Sequence, residues 1–210
     1  MRRLLIPFFL LLFFSATAQS RIGIRGGLNA ASMTFGSFKP EKRPVTRINI
    51  GTQIEIPFDE NWALLTGPYY SGKGVIYARS PSTNRVDSIT IRLNYIELPI
   101  NIGYKFPAEK ENRFAIAAGP YISYGFNGKI ITRGSPRPPT THLHKKETDQ
   151  FKRLELGFNF TSLYEIKDRY GVRVDLSKSL FTIHRADKNK NIVAGFSFFW
   201  YLKKKRDIEK

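Results

Sequence analysis

The chain contains three histidines, and none sits in a spacing that chemistry demands. His142 and His144 lie two apart beside Lys145 and Lys146 in a proline-rich stretch; two imidazoles without a third ligand make a poor metal site. His184 follows Asp175, Ser177 and Ser179, which together supply the group types of a nucleophile–base–acid relay. Such a relay works only within hydrogen-bond reach, and linear spacing does not provide that. Cysteine is absent, so there is no thiolate nucleophile, thiolate metal site or disulfide. The residues therefore read as non-enzymatic, with no cofactor and no metal. A lipid A-modifying enzyme and a small channel are the alternatives.

The charged residues are more informative. Lys and Arg number 34 against 17 Asp and Glu, a formal net charge of +17, which points to an anionic partner. One set is threaded singly through apolar segments: Arg25, Arg47, Glu55, Arg92, Glu97, Lys105, Arg153, Glu155, Arg173 and Asp175. Both signs occur in it, and it reads as an internal network of ion pairs, because an enclosed charge must be matched. The other set lies between those segments and is mostly cationic: Lys42, Arg43, Arg133, Arg137, Lys145, Lys146, Arg185 and Lys188. Arg and Lys bind phosphate through charge-assisted hydrogen bonds, so this set suits lipopolysaccharide or another anionic surface partner.

The segments that must hold these charges alternate with period two. In Leu154-Glu155-Leu156-Gly157-Phe158-Asn159-Phe160-Thr161 the even positions are large and apolar and the odd ones acidic, small or polar. Successive side chains on a strand face opposite ways, so one face is oily and the other wet. Eight such strands are expected, near 21–31, 46–58, 62–77, 89–106, 113–130, 151–164, 169–180 and 191–202. The fourth changes parity: Ile89, Ile91, Leu93 and Tyr95 are apolar on odd numbers, then Ile96 to Phe106 on even ones. To keep the oily side outward this predicts a β-bulge near Tyr95-Ile96. Parity is least clear in the third, where Gly67-Pro68 and Gly72-Lys73-Gly74 intervene.

The links between strands run long, short, long, short. The brief ones are 59–61, 107–112 and 167–168; the longest is 132–150. Outer-membrane barrels have short periplasmic turns, longer outer loops and an even strand number. Aromatic residues collect at strand ends, at Phe58 and Trp62, Tyr104 and Phe106, and 198–201, as interfacial rings do. The expected fold is all-β, an eight-stranded antiparallel up-and-down transmembrane β-barrel, with both termini periplasmic and strand one closing on strand eight. Open edges cannot persist in hydrocarbon.

Ahead of the barrel, Arg2-Arg3, the apolar run 4–14 and Ala16-Thr17-Ala18 have the form of a cleavable export signal. The run is about half of the ~20 residues a spanning helix needs. The expected organisation is signal peptide 1–18, outer-membrane barrel 19–202 and basic periplasmic tail 203–210. Export argues against nucleic acid as a partner; outer-membrane lipid, lipopolysaccharide and envelope proteins fit better.

Certain residues carry a family likeness: Leu93-Asn94-Tyr95-Ile96-Glu97-Leu98-Pro99-Ile100-Asn101, Ala118-Gly119-Pro120-Tyr121, Leu156-Gly157-Phe158-Asn159 and Tyr170-Gly171-Val172-Arg173. In these the chain resembles the PorT-like outer-membrane β-barrel domain family, over residues 21–202. The resemblance implies an outer-membrane location, an eight-stranded barrel and, through its namesake members, an accessory role in secretion or surface attachment. It implies no reaction. The tail after Leu202 departs from barrels that end on the last strand's aromatic residue, which places any insertion signal internally, at Trp200-Tyr201.

Overall fold

The computed structural model describes residues 20–36, 41–79, 87–107, 111–133, 140–143, 151–184 and 188–202. The expected signal and tail lie outside them. Eight strands form the wall: β1 (Arg21–Thr34), β2 (Val45–Pro57), β3 (Trp62–Thr66 and Tyr69–Arg79), β4 (Asp87–Lys105), β5 (Arg113–Arg133), β6 (Leu154–Ile166), β7 (Tyr170–Ser179) and β8 (Lys190–Tyr201). Each pairs antiparallel with the next. β8 pairs with β1 from Gly23↔Tyr201 to Thr34↔Lys190, and this closes the ring. Two short additions, Lys42–Arg43 on β3 and Thr140–Leu143 on β5, extend the ladder at the long-loop end.

The interruption expected in the third strand is a break of two residues. Gly67 has φ 127°, a conformation open mainly to glycine, and the Pro68 carbonyl accepts from Thr52 N at 3.0 Å. The wall bends there without losing its pairing to β2. At the opposite end of the sequence, Lys167 and Asp168 both have positive φ, and Arg169 N donates to Ile166 O. These are the marks of a type I′ turn, whose twist matches that of the strands it joins.

A bulge lies beside Tyr95 as the sequence predicts, but on the partner strand. The β4–β5 register shifts between Asn94 and Tyr95, but Asn94 pairs with Asn127 and Tyr95 with Gly125. The extra residue is therefore Phe126 of β5. β4 keeps one parity throughout: Ile91, Leu93 and Tyr95 are buried on the same face as Glu97 and Asn101. Those odd-numbered apolar residues fill the barrel's interior rather than its outer surface. With Met33, Val75, Phe151 and Ile183 they form an apolar plug at the long-loop end.

Smaller inward apolar clusters lie around Leu65, Leu163 and Phe199 and around Val45 and Val193; elsewhere parity separates a polar interior from an apolar outer face. Outward residues are apolar and strongly exposed, Ile50 at 60 % and Phe198 at 64 %, and they make a continuous belt around the ring. A belt of this extent is not tolerated in water. Aromatic rings edge it at the turn end, where Trp62 packs on Tyr104 at 5.1 Å and Tyr104 on Phe106 at 5.1 Å, and Tyr170 stands beside Trp200. Tyr70 and Phe126 meet at the other edge. On β5 the belt runs from Phe114 to Tyr124. At ~3.3 Å per residue and a ~40° tilt this is about 25 Å high, the height of an outer-membrane apolar band.

Candidate functional site

On the turn-end side of the plug the interior is nearly dry, and it holds ionic and polar groups beside a second apolar cluster built around Leu65, Leu163 and Phe199. Five cations, Arg21, Arg25, Lys73, Lys105 and Arg173, share the interior with five carboxylates, Glu55, Glu97, Glu155, Glu165 and Asp175. They fall into three groups along the axis. Nearest the turns, Arg21 contacts Glu55 at 2.7 Å and also Glu165, while Lys105 contacts Glu55 and, at 3.7 Å, Glu165. The Tyr201 hydroxyl donates to Glu55 at 3.0 Å, and its ring lies under the Arg21 guanidinium at 4.1 Å.

In the middle, Arg173 reaches Asp175 at 2.7 Å and donates to Gln53 at 2.8 Å. Arg25 joins Asp175 at 3.3 Å and stacks on the Tyr69 ring at 3.5 Å. Below the plug, Lys73 bridges Glu97 at 2.6 Å and Glu155 at 2.9 Å. Tyr69 donates to Glu97. Glu155 also accepts from Tyr121 at 2.6 Å, Ser179 at 2.7 Å and Asn191 at 2.7 Å. Charge balance and dense hydrogen bonding are what an enclosed ionic cluster requires.

Of the ten residues singled out for an internal network, Arg25, Glu55, Glu97, Lys105, Glu155, Arg173 and Asp175 come together in it. Three do not. Arg92 is half-buried on the outward face, because β4 never switches parity. Arg153 is exposed and donates to the Tyr124 hydroxyl at 3.3 Å; β6 begins only at Leu154, so no ladder turns residue 153 inward. Arg47 is half-buried and donates to the Tyr70 hydroxyl and to Asn94 Oδ1, on the outward edge of the wall. Arg21, Lys73 and Glu165 are the members that sequence reasoning passed over. Arg21 shares parity with Arg25, and Glu165 with Glu155, so alternation carried to the strand ends would have found both.

The loop cations are less fully placed. Arg137, Lys145, Lys146 and Arg185 lie outside the described residues, and Arg133 is described at the backbone alone. Lys42 is exposed and donates to the Met33 carbonyl at 2.9 Å. Arg43 is exposed and lies 3.6 Å from Glu41, and Lys188 is exposed. Two of the relay candidates are engaged in the internal network. Asp175 is held by Arg173 and Arg25, Ser179 donates to Glu155, and the His184 ring packs edge-on against Phe151 at 4.9 Å. Among the described residues no group of three His, Asp or Glu is placed to hold a metal ion.

No curated protein matches this chain in sequence. Solved structures with a similar course of chain include Neisserial surface protein A, at 7 % identity and TM-score 0.47, covering 85 % of this chain and 96 % of the other. The attachment invasion locus protein Ail of Yersinia pestis aligns at 8 % identity and TM-score 0.42, covering 87 % and 99 %. OprG from Pseudomonas aeruginosa aligns at 10 % identity and TM-score 0.36, covering 86 % and 96 %. The sequence itself matches the model of the outer membrane protein beta-barrel domain over residues 15–185, through all but the last strand, and β8 completes the ring that this match leaves open. On that match, and on the closed eight-stranded ring with its apolar belt, the chain belongs to the outer membrane protein beta-barrel domain family.

Proposed function

We propose that the barrel is a non-enzymatic, non-conducting envelope protein that presents a basic outer rim to lipopolysaccharide or another anionic surface partner. The single observation that carries this reading is the lumen. Its charges are committed to one another in a balanced network, and an apolar plug seals its long-loop end. An ion entering would meet carboxylates already neutralised and then a dry constriction. The chemistry left for partners is at the rim, where cations predominate.

The alternation of brief turns and long loops supports an orientation with both termini in the periplasm, downstream of a signal removed after residue 18. The PorT-like residues of β4 to β7 support, as a finer reading, an accessory role in secretion or surface attachment. Planar-bilayer recording on the folded protein tests the sealed lumen: no steady conductance is expected, and large steady steps refute it. Replacing Arg133, Arg137, Lys145 and Lys146 by Ser tests the rim. Lipopolysaccharide affinity should fall, and unchanged affinity refutes the loop assignment.

A further inference from the structure

On the outside of the wall, β6, β7 and β8 enclose a groove of about 560 Å³ that neither the lumen nor the loops use. Phe158 and Phe160 form one bank and Ile192 and Ala194 the other. Leu176, between Phe160 and Ala194 in register, forms its floor. The methyl of Ala194, on a strand face that otherwise carries Ile192, Phe196 and Phe198, leaves the space open.

Two lysines stand at the loop end of this slot, Lys178 on β7 and Lys190 on β8. Lys178 is exposed and Lys190 half-buried. Neither has a carboxylate partner among the described residues. Among the described residues of β6 and β7, the carboxylates Glu155, Glu165 and Asp175 all face the lumen. On β8, Lys190 lies ten positions from the girdle residue Trp200, and on β7, Lys178 lies eight from Tyr170. At ~3.3 Å per residue and ~40° tilt, that sets them about 20–25 Å above the turn-end girdle. With the loops outward, this is the headgroup level of the outer leaflet.

We infer that the groove is a binding site for lipid A: one acyl chain lies along Leu176 between the two apolar banks, and Lys178 and Lys190 clamp a phosphate at its mouth. An apolar slot ending in two cations that no described carboxylate pairs is complementary to an acylated anion, and ammonium–phosphate hydrogen bonds are charge-assisted. The inference rests on the lipopolysaccharide reading above and gives that reading a place on the wall, separate from the loops. Its competitor is simple snorkelling, in which both lysines reach the interface with no preference among lipids.

The test uses full-length folded barrel in detergent micelles, with native mass spectrometry of lipid retained from bisphosphorylated lipid A, dephosphorylated lipid A and phosphatidylethanolamine. Heat-modifiable gel migration checks that each variant is folded. The wild type should prefer bisphosphorylated lipid A about tenfold or more, as charge-assisted hydrogen bonds to phosphate lead one to expect. K178Q/K190Q should abolish that preference, and A194F, which fills the groove but keeps both lysines, should weaken retention of both lipid A forms. Preference unchanged in K178Q/K190Q overturns the groove site; if it instead falls in a K42S/R43S/K188S variant, the rim reading survives without the groove. Equal retention of all three lipids by the wild type overturns the site in favour of snorkelling. Failure of the wild type to retain lipid A at all overturns both readings.

Discussion

Lys73 offers the sharpest perturbation of the lumen. It is fully buried and joins two carboxylates that have no other cation among the described residues, Glu97 at 2.6 Å and Glu155 at 2.9 Å. Lys73→Met keeps most of the side chain's volume and removes the charge, which leaves two carboxylates facing each other in a dry interior. Breaking one buried pair costs about 3–5 kcal/mol. Glu155 retains three donors, from Tyr121, Ser179 and Asn191, whereas Glu97 retains the Tyr69 hydroxyl. The loss should therefore come mainly from Glu97, and a total of about 4 kcal/mol is expected for the pair. With an m-value of roughly 2 kcal/mol per molar urea, the unfolding midpoint in lipid vesicles should drop by about 2 M. Tryptophan fluorescence and gel migration report it. The triple variant Lys73→Met/Glu97→Gln/Glu155→Gln should recover most of the loss, because neutral amides at both carboxylate positions leave no bare ion. A loss under about 1 kcal/mol for Lys73→Met, or no recovery in the triple variant, would refute the argument that lumen charges hold one another in place.

The remaining expectations concern the wall. Phe196 faces outward near the middle of the belt, so Phe196→Arg should destabilise the membrane-inserted barrel by about 2–4 kcal/mol; Lys178→Arg, at the belt's edge, should change stability by under about 1 kcal/mol. Trp62 and Trp200 are both exposed on the outward face at the turn-end girdle, so brominated acyl chains should quench their fluorescence, and insensitivity to brominated lipid would show that this face does not meet lipid. A Cβ on Gly157 would stand 2.2 Å from the buried Tyr121 ring, so Gly157→Ala should cost about 1–3 kcal/mol, and adding Tyr121→Ala should remove the additional penalty; additive losses in the double variant would contradict that contact.

Strands, ring order and link lengths were legible because each follows from a period-two pattern bounded by turn residues. Direction was harder. Hydropathy marks a greasy residue but not the face on which grease is wanted, and in this lumen that preference changes along the axis. Ile91, Leu93 and Tyr95 therefore read as belt residues displaced by a bulge, when they close the interior at the loop end. The bulge itself is on the partner strand, at Phe126, where the sequence shows only an aromatic residue before Asn127. Lys73 was hidden by its flanking glycines, one of which, Gly74, adopts φ 148°. Arg153 failed for a different reason: alternation was extended one residue before the start of β6 at Leu154, where the strand no longer fixes which way a side chain faces.

The cluster nearest the turns gathers Arg21 from the first strand, Glu55 from the second, Lys105 from the fourth, Glu165 from the sixth and Tyr201 from the last. Its four charges come from four different strands, and a wall lacking any one of those strands leaves one ion of the cluster unmatched. A partly built wall would carry naked ions into the bilayer, a state several kcal/mol uphill for each one. Insertion must then be all-or-none: the polypeptide has to gather every stave before it commits to the hydrophobic phase, and pieces cut from it should stay in the water.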